Sequence, residues 1–202
     1  MKEMIEELSI PSDPNLAPGE ARCPGRSVKD ILSSENSRHD DGLMASSYKF
    51  LGSEDLPFSR YTDQEFYDQE IKKVWSKVWQ WACREDHVKE PGDYYVYDIG
   101  PYSAIVIRDA ANKIRAYVNS CPHRGMAFFD PGSQGTGKQF LRCPFHGMSW
   151  NLDGSLKEIP CRWDFPHVSD ESFGLTEIPS GTWAGFVFIN FDLECGPLED
   201  YL

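Results

Sequence analysis

Four side chains in two short segments carry the chemistry that this sequence could perform. The segments read Cys-Pro-His-Arg-Gly and Cys-Pro-Phe-His-Gly, with nineteen residues between the histidine of the first and the cysteine of the second. Each segment supplies one thiolate and one imidazole. The candidate ligands are Cys121, His123, Cys143 and His146. A [2Fe–2S] cluster with two histidines on one iron and two cysteines on the other needs this ligand set.

The residues around the four ligands suit such a cluster. A glycine follows each histidine, at Gly125 and Gly147, and glycine allows backbone conformations in which amides point at the cluster sulfurs. Pro122 and Pro144 follow the two cysteines and stiffen both loops. We therefore predict that the chain carries single electrons.

A structural Cys₂His₂ zinc site is the competing interpretation. Zinc sites commonly open with two cysteines two to four residues apart, whereas this chain alternates Cys, His, Cys, His. The pattern favours the iron–sulfur cluster, and a zinc-stabilised interaction module remains the remote alternative.

One helix is predicted ahead of the ligand segments. Thr62 and Glu65 have the spacing of a capping box. The apolar residues that follow recur at the spacing of one helical face: Tyr67, Ile71, Val74, Trp75 and Val78. We expect a helix from about Asp63 to Trp79 with this face packed in the core.

The chain from Gly92 onward predicts an antiparallel β domain. Its short β-rich pieces alternate with Pro-Gly, Asp-Gly and Gly-Pro turn signals. Asn151 to Ser155 resembles a tight hairpin turn just after the second ligand segment. The predicted strands are Tyr94–Ile99, Ala104–Arg108, Ile114–Asn119, Phe140–Arg142, Ser149–Asn151 and Gly181–Phe191.

The 202 residues are enough for one sizeable domain and a tail. Residues 1–55 are rich in Ser, Pro, Gly, Asp and Glu without periodicity, which predicts a disordered or loosely ordered tail. No apolar run approaches the length of a membrane span, and the acidic N-terminus lacks the apolar segment of a secretion signal. A cytoplasmic location is therefore expected. The net charge of −12 argues against nucleic-acid and anionic-membrane partners.

The remaining cysteines and histidines have no ligand-like spacing. We interpret them as free thiols and solvated imidazoles: Cys23, Cys83, Cys161, Cys195, His39, His87 and His167.

The two ligand segments resemble those of the Rieske iron–sulfur domain. The region from about residue 56 to 202 is similar to the N-terminal half of the large (α) subunit of Rieske non-haem iron, aromatic-ring-hydroxylating oxygenases. Three further stretches carry this resemblance: Ile71 to Trp75 followed by Trp79-Gln80-Trp81, Pro91-Gly92-Asp93, and Trp183 to Asn190.

The resemblance implies a mainly β fold, namely an antiparallel Rieske-type domain over residues 56–196 with a small cluster-binding subdomain. It also implies an electron-entry role, with an NAD(P)H-fed reductase or ferredoxin as donor and a catalytic domain or neighbouring subunit as acceptor. The mononuclear Fe(II) of the family needs two histidines and a carboxylate, whose pattern this sequence lacks. We expect residues 197–202 to begin a missing catalytic domain, so that the chain alone is not catalytic. A stand-alone Rieske ferredoxin-like carrier is the alternative.

Two departures separate this sequence from the respiratory and photosynthetic Rieske proteins. Those proteins carry an extra cysteine in each ligand loop, joined as a disulfide, where this chain has Met126 and Phe145. They also place Ser and Tyr hydroxyls against the cluster, where this chain has Met148 and Trp150. Fewer hydrogen bonds to the sulfurs predict a reduction potential low in the Rieske range. The spacer tip, residues 132–137, is expected to be a flexible glycine-rich loop.

Overall fold

A computed structural model describes residues 28–36 and 55–202 of the chain. The chain divides into two units, Met1–Phe58 and Ser59–Leu202. In the first unit the described part contains helix α1 (Val28–Ser33). The rest of the predicted tail, with Cys23 and His39, lies outside the described residues. Among the residues that are described, no helix is both long and apolar enough to cross a bilayer.

The predicted helix precedes the sheets, but it ends four residues early. The helical segment consists of α2 (Ser59–Thr62), α3 (Gln64–Glu70) and a π-helical turn over Ile71–Trp75. Trp79, the predicted last residue, is buried, and its Nε1 donates to the carbonyl of Gly196 at 3.1 Å. This long-range contact places Trp79 beside the first strand rather than in the helix.

The cap of α3 differs from the predicted capping box. Asp63 is the N-cap, and its Oδ1 accepts hydrogen bonds from the backbone N–H groups of Glu65 and Phe66 at 2.7 and 3.2 Å. A carboxylate at this position satisfies two donors that the helix leaves unpaired. The expectation that Thr62 caps the helix is therefore wrong by one residue.

Most of the predicted apolar face of the helix is exposed. Of its five residues, Ile71 is buried, whereas Tyr67 and Val74 are each 43% exposed. The side chains of Tyr67 and Ile71 lie against Gly100, so the helix touches the turn between two strands rather than covering a sheet. Core packing along the whole face is therefore a wrong prediction, because periodicity alone does not reveal which part of the stripe meets the sheet.

Three antiparallel sheets form the domain, with strand orders β1–β11–β10, β5–β2–β3–β4–β9 and β6–β7–β8. This confirms the mainly β, antiparallel fold class. The strands are β1 (Gln80–Arg84), β2 (Tyr94–Ile99), β3 (Tyr102–Arg108), β4 (Ile114–Val118), β5 (Gln134–Gly135), β6 (Leu141–Arg142), β7 (Ser149–Trp150), β8 (Leu156–Glu158), β9 (Glu177–Ile178), β10 (Ser180–Trp183) and β11 (Phe186–Ile189). Five predicted strands recur within two residues at each end, while β1, β5, β8 and β9 were not predicted.

The predicted strand from Gly181 to Phe191 is instead a hairpin of β10 and β11. Its two-residue turn is Ala184-Gly185, with φ of 49° and 82°. Trp183 pairs with Phe186 across the turn. Two positive φ angles define a type I′ turn, whose twist matches that of the strands. The sequence misleads here because alanine is an unusual residue at the first turn position.

Strand β3 separates two hydrophobic cores. Ile105 and Ile107 point into a core shared with the sheet β6–β7–β8, and Ala104 and Val106 point into a core shared with β1 and β11. This alternation follows from the two-residue period of a strand. The first core also contains both candidate cysteines, so the scaffold buries one half of the candidate site.

Candidate metal centre

The first ligand loop runs from Cys121 to Met126, shortly after β4. The Cys121 N–H donates to the carbonyl of Met126 and the Gly125 N–H to the carbonyl of Cys121, both at 2.8 Å. Gly125 has a φ of 75°, a conformation that favours glycine. The loop is thereby closed on itself.

Asn119 holds this loop at its base. Its buried side chain accepts from the N–H groups of Phe128 and Phe129 and donates to Ser103 Oγ at 3.0 Å. Asn119 cannot be predicted from the sequence, because a lone asparagine after a strand belongs to no motif that reveals a bridging role.

The second ligand loop, from Cys143 to Met148, connects β6 and β7 and repeats the geometry of the first. The Cys143 N–H donates to the carbonyl of Met148 at 2.8 Å, and the Gly147 N–H donates to that of Cys143 at 3.1 Å. Gly147 has a φ of 76°. The repeated Pro and Gly positions in the sequence thus correspond to one backbone conformation used twice.

The structure brings the two candidate cysteines together as a buried pair of thiols. Cys121 and Cys143 are each 2% exposed, and neither forms a disulfide. Burial raises the pKa of the Cys121 thiol, as does its contact with Cys143, while the N–H groups of His123 and Arg124 that point at the sulfur lower it. The net result is a raised pKa, and the two backbone N–H groups offset only part of the effect of burial.

The two candidate histidines form a second pair, closer to solvent. The ring centroids of His123 and His146 lie 4.8 Å apart at an interplanar angle of 67°. His146 is exposed and His123 is half-buried. Burial, together with the nearby His146 and Arg124, lowers the pKa of His123. A neutral imidazole is the form that binds metal, so the environment of His123 suits a ligand.

The arrangement of the four residues fits a two-iron group. No three or more His, Cys, Asp or Glu side chains within residues 28–36 and 55–202 are grouped so that they could hold one metal ion. The four candidates instead form a thiol pair and an imidazole pair. A [2Fe–2S] cluster takes its protein ligands in two such pairs, one for each iron, whereas structural zinc takes four ligands around one ion.

Aromatic side chains flank both imidazoles. The ring of Phe145 lies 3.8 Å from that of His146, and Phe165 meets His123 edge-on at 5.9 Å. Arg162 holds the Phe165 segment by donating to the carbonyls of Phe165 and Val168. Phe165 cannot be predicted from the sequence, since it is about twenty residues from the second loop and belongs to no motif.

The other histidines and cysteines belong to neither of these two pairs, and Cys23 and His39 lie outside the described residues. His87 and His167 are exposed, and the ring of His167 lies 6.4 Å from that of Phe165. Cys83, Cys161 and Cys195 are free thiols, as expected. Burial raises the pKa of Cys83 to about 12, so this thiol stays protonated.

The spacer between the loops is fixed to β2. The Gly132 N–H donates to Asp98 Oδ2 at 2.7 Å, and the Val96 N–H donates to the carbonyl of Ser133 at 2.8 Å. Residues Gln134 and Gly135 then pair with β2 as strand β5. Backbone pairing therefore ties down the glycine-rich tip that composition alone describes as a flexible loop.

Comparison with known proteins agrees with this geometry. Residues 78–169 match the family described as "Rieske [2Fe-2S] domain". The chain is 32% identical over 137 residues to chloroplastic choline monooxygenase of Spinacia oleracea, covering 67% of this chain and 30% of that protein. It is 31% identical over 145 residues to the large oxygenase component of the 2,4-dinitrotoluene dioxygenase system of Burkholderia sp. (strain RASC), covering 70% and 32%.

A solved structure gives the same result. Naphthalene 1,2-dioxygenase from Rhodococcus sp., bound to indole, has a TM-score of 0.64 and 30% identity, covering 69% of this chain and 32% of that chain. The chain thus spans about a third of the length of these relatives.

The antiparallel β scaffold and its paired Cys/His loops define an iron–sulfur domain. Residues 78–169 belong to the Rieske [2Fe–2S] domain family, and this electron-transfer domain is of the kind found in the α subunits of ring-hydroxylating dioxygenases. The predicted cluster type and the predicted family are confirmed.

Proposed function

We propose that Cys121 and Cys143 bind one iron of the cluster and that His123 and His146 bind the other. The observation that carries this assignment is the separation of the four residues into a buried thiol pair and a more exposed imidazole pair. When bound, the cluster supplies reversible one-electron chemistry. The thiolates anchor it in the core, and the imidazole edge faces the surface at which electrons are exchanged.

The proposed role of the whole protein is electron entry into an aromatic-ring-hydroxylating oxygenase. An NAD(P)H-fed reductase or a ferredoxin would be the donor, and a catalytic domain or neighbouring subunit would be the acceptor. Support comes from relatives that are large or α subunits of dioxygenases. Three described cysteines outside the ligand loops, Cys83, Cys161 and Cys195, are free thiols, which suits a reducing compartment, and we propose a cytoplasmic location.

The substrate class rests on relatives of two chemical kinds. Their names refer to aromatic compounds, such as dinitrotoluene and biphenyl, and to quaternary ammonium compounds, such as choline and carnitine. We propose the aromatic class as the substrate of the whole protein.

We also propose that the Rieske domain extends over residues 56–196.

Metal analysis combined with a redox titration tests this function. The 202-residue chain should contain about two irons and two acid-labile sulfides, with a potential in the lower half of the about −150 to +300 mV Rieske range. Zinc without sulfide would overturn the iron–sulfur assignment. A potential at the upper end, where quinol-oxidising proteins lie, would contradict the proposed donor.

A further inference from the structure

Three side chains are stacked across the two ligand loops. The guanidinium of Arg124, from the first loop, lies over the ring of Phe145, with its carbon 5.7 Å from the ring centroid. On the second loop, the same ring lies 3.8 Å from the ring of His146 at an angle of 32°. Phe145 therefore contacts both the Arg124 guanidinium and the His146 imidazole, and these three side chains are called the stack below.

The position of Phe145 calls for a physical reason. Its side chain is 56% exposed, although burial of a phenyl ring is favourable. The ring contacts two specific groups: the Arg124 guanidinium, through a cation–π contact, and the imidazole of His146, which is itself exposed. An exposed cation–π contact contributes about 0.5–1 kcal/mol, enough to favour one arrangement of two surface loops.

We propose that Phe145 is a positioning residue that, held by Arg124, orients the His146 imidazole and joins the two ligand loops. The proposal rests on the proposed assignment of His146 as a ligand. Orientation of a ligand ring by its neighbours tunes both the binding and the potential of a metal centre.

The stack also fixes the position of a positive charge. Reduction adds one negative charge to the centre, so a guanidinium held nearby favours the reduced state. Removing that charge should lower the potential, and the effect should depend on the ring that holds the guanidinium in place. Without the ring, Arg124 is free to extend into solvent, where water screens its charge.

A double-mutant cycle in the 202-residue chain tests the proposal. The variants are Arg124→Gln, Phe145→Leu and their combination, with Phe145→Tyr as the conservative replacement. Arg84→Gln is the matched control, because it removes a similar contact, with Phe186 at 5.3 Å, from a sheet that carries no ligand loop. The measurements are the reduction potential and the rate of cluster loss to an iron chelator.

We expect each single variant to lose the cluster about 2- to 5-fold faster, which is the rate equivalent of the contact energy. The double variant should lose the cluster no faster than either single variant. Arg124→Gln should lower the potential more in the wild-type background than in the background that already carries Phe145→Leu. Phe145→Tyr should behave as wild type, and so should Arg84→Gln.

Two results would overturn the proposal that Phe145, held by Arg124, orients the His146 imidazole. One is a set of additive effects on rate and potential, which would mean that Arg124 and Phe145 act independently. The other is a set of variants that match the Arg84→Gln control. Failure of the wild-type chain to hold iron and sulfide would instead refute the proposed function itself.

Discussion

At the scale of single residues, the division between two buried thiols and two more accessible imidazoles organises the site. Residue types and spacing in the sequence predict the four ligands as a set. They do not reveal that Cys121 and Cys143 lie in the core while His146 reaches the surface. That difference arises from long-range packing, and it decides which edge of the centre a partner can approach.

Replacing His146 by Cys should retain a cluster but lower its potential. A third thiolate adds negative charge, which favours the oxidised state and moves the potential toward the about −400 mV of all-cysteine plant-type clusters. A redox titration followed by optical spectroscopy measures this shift. His87→Cys is the control, since His87 is exposed and packs on Tyr95 rather than on a ligand. Equal potentials for the two variants would exclude His146 as a ligand.

A second residue-scale feature is the buried carboxylate of Asp109. Its residue is 2% exposed, and its oxygens accept from Arg115 at 2.7 Å and from the N–H groups of Ala111 and Lys113. Burial raises the pKa of this carboxyl, but the hydrogen bonds from Arg115 and the backbone outweigh it, so the pKa lies below its usual value. Asp109 therefore ties the β3–β4 turn to the strand that leads to the first ligand loop.

We expect Asp109→Asn to destabilise the fold by about 1–3 kcal/mol at neutral pH, because it weakens a buried charged hydrogen bond. A depressed folded-state pKa gives stability that is present above the unfolded value near 4 and is lost as the pH falls through the lower folded value. In denaturant unfolding, the difference in free energy of unfolding between wild type and Asp109→Asn should thus become smaller below about pH 4. Asp86→Asn, at an exposed carboxylate 3.7 Å from Arg84, should cost little at either pH. A difference in unfolding free energy that becomes larger in acid would contradict the lowered folded-state pKa of Asp109.

At the scale of elements, the predicted turn after the second ligand loop is confirmed. The Asn151 N–H donates to the carbonyl of Ser155 at 2.9 Å, and Gly154 has a φ of 83°. Tyr117, fully buried on β4, packs against Gly154, and its hydroxyl donates to the carbonyl of Leu152 at 3.2 Å. The turn therefore links the sheet of the first ligand loop to the sheet of the second.

Gly154→Ala should destabilise the protein by about 2 kcal/mol or more. The added Cβ would meet the Tyr117 ring at 2.6 Å, in a backbone conformation that alanine disfavours. Gly196→Ala is the matched control, because no atom lies within 4 Å of its Cβ position. Thermal unfolding of both variants measures the difference. Similar melting temperatures would mean that the turn does not constrain the sheets.

The elements also mark the limit of sequence-based prediction. Strands with strong alternation or clear turn residues, such as β2 and the Asn151–Ser155 turn, are predictable because the signal is local. Strand β5 has two residues and forms only because Tyr94 and Tyr95 lie opposite it. The end of the helical segment depends on the contact of Trp79 with Gly196, more than a hundred residues away. Local propensity contains no information about such contacts.

At the scale of the whole molecule, two cores on either side of β3 hold the ligand loops in place. One core joins the five-stranded sheet to the small sheet β6–β7–β8, and both cysteines lie within it. This arrangement corresponds to the predicted domain with a small cluster-binding subdomain. The proposed electron-transfer role requires such rigidity, because loops that keep the same geometry in both oxidation states reorganise little when an electron arrives.

An EPR spectrum of the dithionite-reduced 202-residue protein tests the central claim most directly. Two imidazoles on one iron should give a reduced [2Fe–2S] signal whose average g value is lower than that of clusters held by four thiolates. A spectrum of the four-thiolate type, or iron without any reduced cluster signal, would contradict the mixed ligation by Cys121, His123, Cys143 and His146.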